Sequence, residues 1–293
     1  MPETTTPEIL RTNLSSVVLL LKAMGVNDIL NFDFMDAPAA ETLIAALNQL
    51  YALSALNDRG ELTKIGRQMA ELPIDVPLAA AILKSGTLGC SEEIISICAM
   101  LPESGSLWTR PKDQRVVADA ARSRFTVQNS DHLTLLNVFN SWVDSDFSPI
   151  FAKENFLQQR SLIRARDVRD QLAKLCERVE VVMTSCGIAD EVPINKAITA
   201  GFFQNAARLQ RGGDSYRVLK GNQAVYIHPS SVLMAQEPHP KLILFHELTE
   251  TTKEYMRNCM VIKAEWLSEA APHYHKKKEL EGMEEKKVPK DRR

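Results

Sequence analysis

Cysteine is scarce in this chain of 293 residues, and the five that occur are scattered. They are Cys90, Cys98, Cys176, Cys186 and Cys259. The absence of a Cys-x-x-Cys pair and of a nearby histidine pair excludes the spacing of a zinc finger, and the odd number does not fit a disulfide framework. We interpret these residues as reduced thiols of a cytosolic or nuclear protein.

Long apolar runs are also missing. The longest, at 17–21, stops at Lys22, well short of the ~20 residues that a membrane helix needs. The acidic, threonine-rich start at 1–6 does not resemble a signal or transit peptide. The sequence therefore predicts no membrane span and no secretory route.

Neither sign of charge is in excess, since 35 Lys and Arg stand against 37 Asp and Glu, a formal net charge of −2. A nucleic-acid partner would have to be held by local basic patches. The fractions of apolar residues (45%) and charged residues (25%) are typical of soluble globular proteins. The length predicts two domains, or three small ones.

Catalytic motifs are lacking as well. The sequence has no P-loop, no Gly-x-Gly-x-x-Gly before a helix and no Gly-x-Ser-x-Gly. His246 and Glu247 begin like a zinc-protease helix, but Glu250 stands where the second histidine belongs. We predict no catalytic residue, metal site or cofactor in this segment, and interpret it as a binding module.

Three short helices and a tight turn occupy the first 72 residues. The apolar spacing predicts helices at 12–24 and from 36–38 to about 53, and Thr63 begins a third that runs to Leu72. The Asn-Asp-Arg-Gly sequence at 57–60 predicts the turn. This order is that of a winged helix, which we assign to 1–72.

The remaining sequence changes from helical to β-rich. Helices predicted at 78–88, 91–101, 116–125, 132–143 and 155–179 indicate a helical bundle over 73–185. Strands are predicted at 181–185, 216–219, 224–227, 241–248 and 256–262, with helices at 195–207 and 264–270. This pattern predicts an OB-fold over 186–272, followed by a disordered charged tail at 273–293. The predicted fold class is multidomain and mainly α-helical, with one β-barrel.

Two basic places could contact phosphates. The loop at 110–113 presents Arg110 and Lys112, although a solvated loop explains it equally well. Arg160 and Arg164 lie on a basic helix face whose interleaved aspartates also fit an ordinary charged surface.

Three further segments have a functional and a structural interpretation. The turn after a predicted strand carries His228, Ser230 and Ser231, which could contact phosphates or simply shape the turn. The stretch 208–220 is basic and by default a solvated loop. The apolar side chains before Pro38 are core residues by preference, or leave a groove for a partner helix. They are Phe32, Phe34 and Met35.

The sequence resembles the C-terminal region of the spliceosomal DEAH-box RNA helicases, from about residue 7 to 274. The motifs that carry the resemblance are LKAMGVND at 21–28, FDFMDAP at 32–38, GCSEE at 89–93, RPKD at 110–113, DHLTLLN at 131–137, ENF at 154–156, RSL at 160–162, KAI at 196–198, GFF at 201–203, YIHPSS at 226–231 and TTKEYMR at 251–257. Within the family the greatest similarity is to the splicing helicase that acts before the first catalytic step.

The resemblance implies winged-helix, ratchet-like and OB-fold domains that close over two motor domains of the same chain and form a tunnel for single-stranded RNA. ATP and Mg would bind in those motor domains, outside this segment. Implied partners are pre-mRNA, a G-patch activator protein and spliceosome components, in the nucleus. The implied RNA contacts are Arg110, Lys112, Arg160, Arg164, His228, Ser230 and Ser231, and the implied G-patch site is Phe32, Phe34 and Met35. A winged-helix regulator that binds nucleic acid and a protein-only scaffold are the alternatives.

Overall fold

A computed structural model describes residues 7–187 and 189–275. Within these residues the chain forms eleven α-helices and a closed barrel of five strands. The predicted fold class, mainly α-helical with one β-barrel, is confirmed. Most of the predicted disordered tail lies outside the described residues.

The first unit has three helices, α1 (Ser15–Ala23), α2 (Ala40–Ala52) and α3 (Lys64–Ala70). The turn predicted at 57–60 is present, closed by a β-bridge between Leu56 and Leu62, and Gly60 adopts the left-handed backbone (φ 72°) that the turn requires. Thr63 caps α3 as predicted, because its hydroxyl accepts a hydrogen bond from the Gly66 amide.

Six helices form the bundle: α4 (Val76–Leu88), α5 (Ser91–Met100), α6 (Arg115–Phe125), α7 (Asp131–Asp144), α8 (Pro149–Glu154) and α9 (Gln159–Arg178). The helix predicted at 155–179 begins later than expected. Phe156 takes a left-handed backbone (φ 55°) directly after α8 and separates it from α9. The helix α5 is buried along almost its whole length, at the centre of the bundle.

The prediction of a strand at 181–185 is wrong. These residues have no regular secondary structure, and their polar groups bind the start of α5 rather than another strand. The Ser91 hydroxyl donates to the carbonyl of Val182 and accepts from the amide of Thr184. Glu93 accepts hydrogen bonds from the amides of Cys186 and Gly187. The segment is therefore a strap across the bundle.

The barrel follows α10 (Glu191–Phe202). Its strands are β1 (Ala206–Leu209), β2 (Tyr216–Val218), β3 (Ala224–Ile227), β4 (Leu242–Glu250) and β5 (Glu254–Val261). The order around the ring is β1-β2-β3-β5-β4, with only the β3–β5 pair parallel. The helix predicted at 195–207 ends earlier, since 206–209 form β1. This helix precedes all five strands of the barrel.

Two hydrophobic cores hold these units together. One is continuous from α1 through the bundle and α10 to the outer side of β4 and β5, where Leu244 and Met260 are buried. The other fills the barrel interior around Tyr216 and Phe245. The predicted helix α11 (Ala264–Ala270) is confirmed. The chain remains packed beyond it, because His275, placed in the predicted tail, is buried and contacts the carbonyl of Phe203.

Candidate nucleic-acid interface

A buried carboxylate at the first residue of α7 joins the bundle to the barrel. Asp131 is 8% exposed and accepts hydrogen bonds from the Ser231 hydroxyl (2.6 Å), the Val232 amide (2.8 Å) and the Cys259 amide (2.7 Å). Burial raises the pKa of Asp131, while these three donors and the charge of Arg122 act in the opposite direction. One side chain thus fixes both β5 and the turn after β3 against α7.

The turn after β3 presents His228 and Ser230 at this junction. The His228 Nδ1 atom accepts from the Ser230 amide (3.1 Å) and lies 2.7 Å from the Ser230 hydroxyl. In the neutral ring the proton is therefore on Nε2, which leaves a donor for a ligand. Burial, and then the charge of Arg257, lower the pKa of His228, so the neutral ring prevails at neutral pH.

Ser231 has a different environment from its neighbour. It is 7% exposed, and its hydroxyl both donates to Asp131 and accepts from the Leu233 amide. The hydroxyl is therefore engaged inside the protein. Its contact with RNA stays a prediction, and the accessible groups of the turn belong to His228 and Ser230.

The helix α6 reaches the same turn from the bundle side. Arg122 donates to the carbonyl of Ser230 (2.6 Å), and its guanidinium lies 5.2 Å from the centre of the Trp108 ring. One turn earlier, Asp119 forms a two-bond ion pair with Arg110 (2.8 and 2.5 Å) that is exposed on both sides. Lys112 lies exposed in the loop before α6. The basic loop therefore borders the turn through α6.

The helix α9 contributes the remaining predicted arginines. Arg164 forms two hydrogen bonds with Glu103 (2.8 and 2.5 Å), and these bonds lower the pKa of the Glu103 carboxyl. Ser161 also binds the Arg164 guanidinium. Arg160 is exposed one turn earlier on α9, and within the described chain no carboxylate pairs with it. Arg164 is therefore held in place, whereas Arg160 is available.

Two residues of β5 contact the loop 103–106, which also binds Arg164 of α9. The Asn258 amide group donates to the Ser104 hydroxyl (3.3 Å). A Cβ atom at Gly105 would lie 3.2 Å from the Arg257 guanidinium, so this arginine packs directly over the glycine. Arg257 also lies 3.8 Å from Glu247 on β4. The loop 103–106 therefore brings Arg164 and the barrel to one surface.

Aromatic side chains complete this surface, and the sequence reasoning missed them. Tyr226 and Tyr255 are paired across the parallel strands β3 and β5, with ring centres 6.3 Å apart. His228 packs edge-on against Tyr255 (5.9 Å), and the ammonium of Lys253 lies 4.1 Å from the centre of the Tyr226 ring. The signal was available, since Tyr226 alternates with the buried residues of β3.

We call this region the junction surface. It consists of Arg110, Arg122, Arg164, His228, Ser230, Tyr226, Lys253, Tyr255 and Arg257. It combines guanidinium and ammonium groups with aromatic rings, the set that holds a single strand by its phosphates and base faces.

The predicted G-patch residues lie in the first unit, between α1 and α2. The rings of Phe32 and Phe34 meet edge to face at 4.8 Å, and Phe34 also packs on the core. Met35 is fully exposed, and Met24 at the end of α1 is 72% exposed. The structure thus packs Phe34 against the core and leaves Phe32 and Met35 exposed.

Within the described chain, no group of three or more His, Cys, Asp or Glu side chains is arranged to hold a metal ion. Its four most buried thiols have pKa values raised chiefly by burial. None of the described helices combines the length and the apolar character that crossing a bilayer requires.

Three protein-family models match the chain. The winged-helix model of the helicase associated domain (HA2) matches residues 46–74, and the ratchet-like model of the same domain matches 75–135. The oligonucleotide/oligosaccharide-binding (OB)-fold model matches 194–274. The last two include the parts of the junction surface on α6, β3 and β5, whereas α9 and the segment 32–35 fall outside all three matches.

Proposed function

We propose that this chain, which carries the winged-helix, ratchet-like and OB-fold domains of the C-terminal module of DEAH/RHA-type helicases, lines the single-stranded RNA channel of an ATP-dependent DEAH-box helicase in pre-mRNA splicing. The module binds RNA and has no catalytic step of its own. ATP and Mg act in the motor domains of the parent helicase, and the site of action is the nucleus.

The observation that carries this proposal is the junction surface. Its guanidinium groups come from α6, α9 and β5, and its rings from β3 and β5, so bundle and barrel both contribute. Charge contacts to phosphates and stacking on bases tolerate any sequence. That tolerance suits an enzyme that moves along a strand better than base-specific recognition does.

The same proposal assigns the exposed apolar residues of the first unit to a G-patch activator. Met35 and Met24 are largely accessible, and Phe32 is 37% exposed. Flexible methionine side chains suit a partner helix that lays an apolar face on them. A Met35→Glu change should weaken binding of such a peptide and leave RNA binding unchanged.

The test of the RNA assignment is a Tyr255→Ala variant, with binding of a fluorescent single-stranded RNA followed by anisotropy. Loss of one stacked base costs about 1–3 kcal/mol, so the dissociation constant should rise by about 5-fold to 150-fold. The matched control is Tyr51→Ala on α2, a tyrosine that is 52% exposed and far along the chain from the barrel. Its affinity should not change.

Two results would contradict the proposal. Equal affinities of the Tyr255→Ala and Tyr51→Ala variants for RNA would show that the junction surface is not part of the RNA-binding site. Binding of a G-patch peptide by a chain with no affinity for RNA would instead favour a protein-only scaffold.

A winged-helix regulator of duplex DNA is disfavoured, because α2 carries Glu41 and neither Lys nor Arg.

A further inference from the structure

The β1–β2 hairpin carries arginines outside the junction surface. Arg208 of β1 and Arg217 of β2 are directly opposite each other in the antiparallel pair, and both are exposed. Their neighbours in sequence, Ala207 and Tyr216, are buried inside the barrel. Both arginines therefore point outward from the same face. Arg211, in the turn between the two strands, is exposed as well.

These arginines lack the carboxylate partners that Arg110, Arg164 and Arg257 of the junction surface have. In the described chain, ion pairs engage Arg110, Arg164, Arg166, Arg169, Arg178 and Arg257. No such pair engages the three arginines of the hairpin, although Asp214 lies in the same turn.

Like charges directly opposite each other in a sheet destabilise the pairing. The Arg208–Arg217 pair is therefore unfavourable by itself and becomes favourable when an anion lies between the two guanidinium groups. Guanidinium groups bind phosphate oxygens through pairs of parallel hydrogen bonds. The hairpin thus has the chemistry of a phosphate site.

The residues next to the pair indicate which polyanion fits. Arg217 is opposite Ala224 of β3, and Tyr226 lies two residues further along that strand. Diagonal neighbours of this kind are about 7–8 Å apart, within reach of long side chains. Tyr226 continues into Tyr255 and the ammonium of Lys253. Cations followed by aromatic faces suit a nucleic-acid strand, whereas an acidic peptide needs only the cations.

We propose that the outer face of the β1–β2 hairpin is a second phosphate-binding site for single-stranded RNA, in which Arg208 and Arg217 each contact a backbone phosphate. The strand continues from the junction surface over Tyr226 to this pair. The inference rests on the proposed function for the identity of the ligand, but its residues are separate from those tested above.

The salt dependence of RNA binding indicates how many phosphates the protein contacts. For single strands, the logarithm of the affinity falls with the logarithm of the salt concentration by about 0.7 per phosphate contacted. The full chain and an Arg208→Gln/Arg217→Gln variant are titrated with a fluorescent oligo-U longer than the 4–16 nucleotides that one OB fold covers. The slope should fall by about 1.4 in the variant.

Two controls accompany this measurement. An Arg11→Gln/Arg59→Gln variant removes the same charge from exposed positions of the first unit, and its slope should remain that of the unchanged chain. Thermal unfolding of the hairpin variant should occur at the same temperature or higher, because the repulsion between two guanidinium groups has been removed.

The outcomes separate the two proposals. An unchanged slope in the hairpin variant, together with weaker RNA binding by Tyr255→Ala, overturns the hairpin site but supports the proposed RNA channel. A lower slope in the hairpin variant, with normal binding by Tyr255→Ala, supports the hairpin site and overturns the junction contact. A glutamate-rich peptide of matched charge that binds as tightly as the RNA overturns the hairpin site as an RNA contact. A chain with no affinity for RNA overturns both.

Discussion

The bundle is joined to its two neighbours by different kinds of contact. Toward the first unit, the polar contacts include ion pairs of Lys64 with Glu180 (2.6 Å) and Arg178 with Glu71 (2.8 Å), in which every side chain is about half exposed or more. Toward the barrel, the central polar contact is the buried carboxylate of Asp131 with three donors from the barrel side.

The difference predicts unequal strength. Exposed ion pairs contribute about 0–1 kcal/mol and weaken as salt is added. Removing one partner of a buried, fully hydrogen-bonded charge is costly. The groups left behind are buried away from water and have lost their hydrogen bonds. The barrel and the bundle should therefore move together, while the first unit depends mainly on its apolar contacts.

The largest effect is expected from Asp131→Ala. The change leaves the Val232 and Cys259 amides and the Ser231 hydroxyl without their acceptor. Each buried donor left unsatisfied costs about 1–3 kcal/mol, so the free energy of unfolding should fall by about 3 kcal/mol or more. Urea unfolding followed by circular dichroism measures it. Asp119→Ala, which removes an exposed carboxylate of α6, is the matched control. Similar midpoints for the two variants would contradict the strength assigned to the barrel junction.

An intermediate loss of folding stability is expected when the pH is lowered. Burial, with a smaller contribution from nearby His246, lowers the pKa of His132 to about 3. Below pH ~6.5 the unfolded chain takes up a proton that the folded chain does not, so stability falls as the pH falls toward ~3. Between pH 7 and about 4.5 this one group should cost about 3 kcal/mol. That loss should be absent in His132→Leu.

The measurement is urea unfolding at both pH values. All other titratable groups are shared by the two proteins, so the difference between their pH dependences isolates His132. Equal losses of stability in the two proteins would mean that the ring is protonated in the folded chain.

The smallest effect is expected at the other junction. Arg178→Gln removes the exposed ion pair with Glu71 and should cost less than about 1 kcal/mol. The cost should shrink further in 1 M salt, where the screening length is about 3 Å. The comparison of the two junctions would fail if this variant lost as much stability as Asp131→Ala.

Local patterns in the sequence predicted most of the elements. The cap at Thr63, the turn at 57–60 and the helix Ala264–Ala270 all follow from short-range chemistry. The strand predicted at 181–185 failed because β-propensity does not say which group will accept the hydrogen bonds, and Ser91 and Glu93 take them. The strand β1 was missed because it follows α10 after a single short turn.

The candidate site was predictable only in pieces. The sequence identified Arg164 and His228 separately. They belong to one surface because Asn258 donates a hydrogen bond to Ser104 and Arg257 packs on Gly105. These contacts join residues more than 150 positions apart. No periodicity or motif encodes such a contact, because it depends on how the barrel docks on the bundle.

The closed ring of strands has a consequence for how partners can attach. Since β1 pairs with β4 as well as β2, and β3 pairs with β5, no strand of the barrel is an edge strand along its whole length. The pairing of β4 with β1 covers only Leu242–Leu244, so a partner that adds a strand to the sheet is limited to the part of β4 beyond Leu244. Around the closed part of the ring, recognition must proceed through side chains.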